Sequence, residues 1–149
     1  MRDINLIVVH CSATKEGQDV SLEQIDKWHK ARGFRKIGYH YVIGLDGIPR
    51  LGRDIEETGA HVKGHNEDSI GIVYVGGLDA DGKPKDTRTA AQKKGLVELL
   101  KMLKVQFKDA VICGHRDLSP DRDGDGIVEK HEWLKACPCF DAKEEYNGL

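Results

Sequence analysis

Leu6-Ile7-Val8-Val9-His10-Cys11 is the stretch on which the reading of this chain turns. Its first four residues are apolar, and Ile7, Val8 and Val9 are β-branched. A run with no polar alternation predicts a strand covered on both faces, hence central in a sheet. The run then ends on an imidazole. Three further stretches have strand character: Gly38–Ile43, Ile70–Val75 and Ala110–Cys113. Between them lie two segments with helical signals. Strands alternating with helices predict an α/β fold: one domain, with a central mixed β-sheet flanked by helices.

The helical segments carry their own start signals. Ser21-Leu22-Glu23-Gln24 has the spacing of a capping box, and Leu22, Ile25, Trp28 and His29 recur at helical intervals before Gly33. Thr89-Ala90-Ala91-Gln92 repeats the signal. It opens the longest helix, whose stripe of Leu96, Leu99, Leu100, Leu103 and Phe107 is core. Asp46-Gly47 predicts a turn into a short strand at Ile48–Leu51. Residues 52–68 are rich in charge and glycine and predict a long surface loop. Leu78–Arg88 is turn-rich. Glu129–Ala136 predicts a short helix, and Asp141 with Glu144 starts another.

Composition limits the function. At 149 residues the chain suits one domain with one core. Twenty-three basic and 25 acidic residues are interspersed for a net charge of −2, so no basic patch predicts nucleic acid as a partner. No apolar run is long enough to insert in a membrane or to act as a signal peptide. The expectation is therefore synthesis in the cytoplasm. Four cysteines in such a chain are expected to stay reduced, and Cys137 and Cys139 are too close in sequence for an unstrained bridge.

Two sets of residues carry metal-binding chemistry. His10, His115 and Cys137 each stand at or near the end of a predicted element. Imidazole and thiolate suit zinc, and three protein ligands leave a fourth position open, as in catalytic sites. On spacing alone, two ordinary strand-end histidines and a buried cysteine are the favoured description. Strand alternation puts His10 and Cys11 on opposite faces, and Tyr39 and Tyr41 opposite His40. Cys113 reads as a buried inert thiol. His29 reads as structural, and His131 has no assigned role. The second set is Asp121-Arg122-Asp123-Gly124-Asp125-Gly126-Ile127-Val128-Glu129-Lys130-His131-Glu132. Asp121, Asp123, Asp125 and Glu132 occupy positions 1, 3, 5 and 12 of a calcium loop, with a glycine at 6, the position-7 carbonyl of Ile127 and an apolar residue at 8. Pro120 precedes it with no entering helix, so it predicts a lone structural calcium loop, or else an acidic turn.

Seven blocks in order then carry a resemblance: Val9-His10-Cys11-Ser12-Ala13-Thr14-Lys15, Gly38-Tyr39-His40-Tyr41, Gly52-Arg53-Asp54, Gly59-Ala60-His61-Val62-Lys63-Gly64-His65-Asn66, Ser69-Ile70-Gly71-Ile72, Val75-Gly76-Gly77 and Lys135-Ala136-Cys137-Pro138. They span nearly the whole chain and resemble the N-acetylmuramoyl-L-alanine amidase family, in particular amidase-type phage lysozymes and peptidoglycan-recognition proteins. The resemblance implies one zinc amidase domain over residues 1–149, with the calcium-loop-like segment 121–132 inserted and the zinc site at the sheet edge. It implies zinc on His10, His115 and Cys137, with Tyr39 and Lys135 as catalytic partners. It implies His61 and Asn66 as substrate contacts. The implied activity is cleavage of the amide between N-acetylmuramic acid and L-alanine in peptidoglycan, by a monomer that reaches the cell wall after release or export. The alternatives are a peptidoglycan-binding module without catalysis, against which Cys137 argues, and a regulatory lysozyme that also binds a polymerase.

Overall fold

The computed structural model describes residues 2–126 and 128–149. Five strands form the main sheet: β1 (Leu6–Cys11), β3 (Tyr41–Ile43), β4 (Pro49–Leu51), β5 (Ser69–Tyr74) and β7 (Val111–Gly114). Their spatial order is β4-β3-β5-β1-β7. β1 runs parallel to β5 and β7, β5 parallel to β3, and only β4 is antiparallel. The sheet is therefore mixed, as expected. A small parallel pair, β2 (Thr14–Lys15) with β6 (Gly77–Leu78), extends the ends of β1 and β5. The turn-rich sequence around Gly76-Gly77 gave no sign of that pair.

The alternation of β1 decides what faces what. Ile7, Val9 and Cys11 point to the face covered by α2 (Ala90–Gln106), where Leu96, Leu99, Leu100 and Leu103 complete the main core. Each fully buried leucine contributes about 1.5–3 kcal/mol. Val8 and His10 point the other way. There Ile25 of α1 (Leu22–Ala31) covers Val42 and Val73, and Val62 of the long loop packs with Val8 and Cys113. Ser21 caps α1 by accepting from Gln24 N, and the Thr89–Gln92 capping box of α2 is complete.

Two predicted elements are shorter than their sequence signals. Gly38–Ile43 is strand only from Tyr41, because Gly38 N donates to His29 Nδ1 and Gly38 O accepts from Ala60 N. The alternation of a strand therefore does not reach Tyr39: Tyr39 packs toward α1 and Tyr41 toward α2. Glu129–Ala136 is one 3-10 turn, Lys130–Glu132, rather than a helix. The Glu132 carboxylate turns back to accept from the backbone N–H of Arg122, Asp123 and Glu129, and Leu134 N donates to Ser119 Oγ instead of continuing a helix.

The C-terminal segment is clamped onto the sheet. Arg88, with its side chain 2% exposed, pairs with Asp86 and Glu145, donates to Tyr146 Oη and lies 3.4 Å from the Phe140 ring centroid. Glu145 lies on α3 (Ala142–Glu145), which Asp141 caps as predicted. This clamp anchors the residues just after Cys137.

Candidate metal centre and its cleft

His10 is the penultimate residue of β1 and is 1% exposed, and His115 opens a 3-10 turn directly after β7. Adjacent parallel strands thus deliver both imidazoles to one end of the sheet, beside its β7 edge. Cys137 arrives from the far C-terminal segment, held there by Arg116 N donating to Cys137 O at 2.8 Å and by Tyr74 Oη donating to Pro138 O at 2.6 Å. One potential ligand atom from each of the three residues lies within 4.8 Å of the others. No other histidine or cysteine among the described residues joins that set.

The donor chemistry fits a zinc ion. Burial, then the charges of His61, His115 and Lys135, push the pKa of His10 well below the ordinary imidazole value. Burial, then Lys135, also lowers the pKa of His115. Both are therefore neutral at pH 7, with a lone pair free for a metal. The Cys137 sulfur accepts from Cys11 N at 3.1 Å, which aims it at the end of β1 that carries His10. Cys11 itself follows the predicted alternation: its side chain leaves the site and meets Cys139 Sγ at 3.9 Å in the core. Cys139 Sγ also donates to Gly77 O, so this second thiol is turned away from the histidines.

His61 has a place that its loop position did not announce. Its Nδ1 lies 2.9 Å from His10 Nε2, and its Nε2 lies 3.0 Å from Ser69 Oγ. The chain Ser69–His61–His10 occupies Nε2 of His10 and leaves Nδ1 without a hydrogen bond among the described residues, the arrangement by which metal-ligating histidines are oriented. Burial lowers the pKa of His61 to about 3, so it stays a neutral relay. Gly71 makes room for it: a Cβ there would sit 2.5 Å from the His61 ring. Asn66 Oδ1 accepts from His61 N and Val62 N, both at 2.9 Å, and so shapes the loop.

These residues line a cleft. Its first lobe, about 300 Å³, holds His10, His29, Tyr39, His115, Lys135 and Cys137, with Trp28 at its side. A second lobe of about 550 Å³ shares Arg32, Phe34, His61, His115 and Lys135 with the first, and adds Lys63, Asn66 and Arg116.

The sequence profile of N-acetylmuramoyl-L-alanine amidases matches residues 1–138. The chain belongs to this family. It is 43% identical to an endolysin of Klebsiella phage KP32 over 95% of this chain and 85% of that protein. It is 41% identical to the endolysin of Escherichia phage T7, over 92% and 82% respectively. Among solved structures, the N-acetylmuramoyl-L-alanine amidase LysC from Clostridium intestinale superposes with a TM-score of 0.73 at 25% identity, covering 97% of this chain and 83% of that one. Drosophila PGRP-LB shares the fold, with a TM-score of 0.72 at 19% identity, over 100% and 82%.

In this amidase the Tyr39 ring lies 5.0 Å from that of His10 and 5.3 Å from that of His29. No group among the described residues hydrogen-bonds its hydroxyl. Burial raises its pKa, so the phenol keeps its proton. Lys135 lines both lobes and is in no ion pair among the described residues. His29 is buried and accepts from Gly38 N, which places Tyr39 one residue later. Cys113 is buried, with its pKa pushed up to about 12, as an inert thiol should be.

The acidic segment is separate from this cleft. Carboxylate oxygens of Asp121, Asp123, Asp125 and Glu132 lie within 4.8 Å of one another. Asp121 accepts from Gly124 N and Gly126 N, both glycines having positive φ. His131 Nε2 lies 3.6 Å from Asp123. Ile127, the expected carbonyl ligand, lies outside the described residues.

Proposed function

We propose that this amidase cleaves the amide between N-acetylmuramic acid and L-alanine in peptidoglycan with a zinc ion held by His10, His115 and Cys137. The observation that carries this reading is the convergence of two neutral imidazoles and a thiol at the floor of a cleft that also presents Tyr39 and Lys135. Bound zinc supplies Lewis acidity, polarising a carbonyl and bringing the pKa of a water to about 7. The chain's own residues do the rest. His61 holds the His10 ring in one tautomer. Lys135 brings a fixed positive charge to the side where the carbonyl oxygen gains negative charge. Tyr39, protonated and with no hydrogen-bond partner among the described residues, gives a proton to the leaving nitrogen of L-alanine. Asn66 keeps Nδ2 free of protein partners among the described residues, and with His61 it borders the bound substrate.

The enzyme works as a monomer on the cell wall, reaching it by release or export. Mass spectrometry of digested peptidoglycan should show free stem peptides beginning with L-alanine and intact glycan strands. Cleaved glycan with peptide still attached would refute the assignment.

Segment 121–132 is proposed as a structural calcium loop within the one domain. Four carboxylates in reach of one ion repel one another without it. The Asp125 carboxylate already raises the pKa of its neighbour Glu129. Because the loop joins His115 to Cys137, fixing it limits the motion of the third zinc ligand. Calcium at a hundredfold excess over Kd should stabilise the fold by about 2.7 kcal/mol. Asp121→Ala should abolish that increment in a melting experiment and leave the amidase activity reduced but present. No heat of binding at millimolar calcium would show an acidic turn instead.

A further inference from the structure

The charge of the cleft is one-sided. The chain carries 25 acidic residues against 23 basic ones, yet neither lobe is lined by a single aspartate or glutamate. The second lobe instead gathers Arg32, Lys63, Arg116 and Lys135, from four separate segments. Lysines and arginines elsewhere on the surface pair with carboxylates, as Lys30, Lys36, Arg50 and Lys85 do. None of the four in the lobe takes part in an ion pair among the described residues. Arg32 rests on the Phe34 ring at 5.1 Å, and Arg116 on the Trp133 ring at 3.9 Å. Arg116 Nε is buried and has no hydrogen-bond partner among the described residues. Aromatic packing holds each guanidinium in place without neutralising it. A cleft walled by one sign of charge concentrates ligands of the other sign.

The two halves of the substrate differ in this respect. The glycan is uncharged where its lactyl group is amidated. The stem peptide carries free carboxylates from its second residue onward. Resting on the amidase reading, we infer that the second lobe is the stem-peptide side of the cleft, and that Arg32, Lys63 and Arg116 select substrates whose second stem residue is a free acid over those in which that carboxyl is amidated. Planar guanidinium forks recognise a carboxylate with two parallel hydrogen bonds, and a carboxamide cannot accept both. Lys135 belongs to both lobes and serves the reaction as well.

Two synthetic muropeptides test this: N-acetylmuramoyl-L-alanyl-γ-D-glutamyl-diaminopimelate and its counterpart with the glutamyl α-carboxyl amidated. The wild type should show a KM about 10-fold lower for the free acid, a preference that shrinks as salt is raised. Arg32→Ala and Lys63→Ala, both at exposed positions, should each compress the ratio of the two KM values toward one. Arg116→Lys, which keeps the charge and loses the fork, should lower it in part. Equal KM values for the two substrates in the wild type, or an undiminished ratio in Arg32→Ala, would overturn the inference while the amidase reading stands. Cleavage of neither muropeptide, with wall digests also untouched, would remove the amidase reading itself.

Discussion

Cys137→Ala should emerge from purification folded, without stoichiometric zinc, and unable to release stem peptides. The two histidines alone hold a divalent ion with two ligands where catalytic zinc sites use three. Losing even an outer hydrogen-bonding partner of a ligand costs about 10–100-fold in affinity or activity. Losing a ligand therefore costs more, and residual hydrolysis should fall below about 1% of wild type. Packing offers no competing explanation. Cys137 is only half-buried, whereas the segment is anchored by Pro138 O, Phe140 and Arg88. Cys139→Ala is the control. Its sulfur faces Cys11 Sγ and Gly77 O, so the variant should keep zinc and activity. Chelation of the wild type should reproduce the Cys137→Ala defect, and added zinc should reverse it. Full activity in Cys137→Ala, or active wild type free of zinc, would remove the metal from the proposal.

The alternation of β1 made the most important feature legible. An uninterrupted apolar run ending in His10 predicted a central strand, and the face opposite Cys11 is indeed the face of the cleft. The capping signals at Ser21, Thr89 and Asp141 were equally readable, because a cap is a contact between residues three apart. What escaped were features made by distant contacts. The β2–β6 pair joins residues more than sixty apart through two-residue strands with no hydrophobic pattern. The helix read at Glu129–Ala136 stops after one turn because Leu134 N donates to Ser119 Oγ, a partner distant in sequence, instead of continuing it. His61 lay in a polar loop, and its spacing says nothing of His10. The one local hint was Gly71, whose missing side chain leaves space for that ring. The family resemblance implied zinc on His10, His115 and Cys137, although His115 lies in none of the seven blocks, and the fold brings the three within reach of one ion. The unpaired cations of the second lobe were invisible for the opposite reason: interspersed in sequence, they become a patch only when four segments converge.

Tyr39→Phe and Lys135→Ala should each lower kcat about 10²-fold, the usual consequence of removing one donor aimed at the developing charge. Tyr39→Phe is the cleaner experiment. The hydroxyl makes no hydrogen bond within the protein among the described residues, so its removal strands no buried partner. The ring that packs beside His10 and His29 stays in place. Zinc content and melting temperature should not change, and KM should move little if the proton is needed only in the transition state. Lys135→Ala needs a separate check because Lys135 also depresses the pKa of His115. Burial is the larger cause of that depression, so His115 stays neutral at pH 7 without the lysine and the metal should be retained. Lys135→Arg restores charge but not the compact ammonium, and partial recovery of kcat would place its effect in electrostatics rather than packing. Normal turnover in both Tyr39→Phe and Lys135→Ala would leave them as cleft-lining residues only. Loss of zinc in Tyr39→Phe would mean that the phenol supports the fold of the site rather than the chemical step.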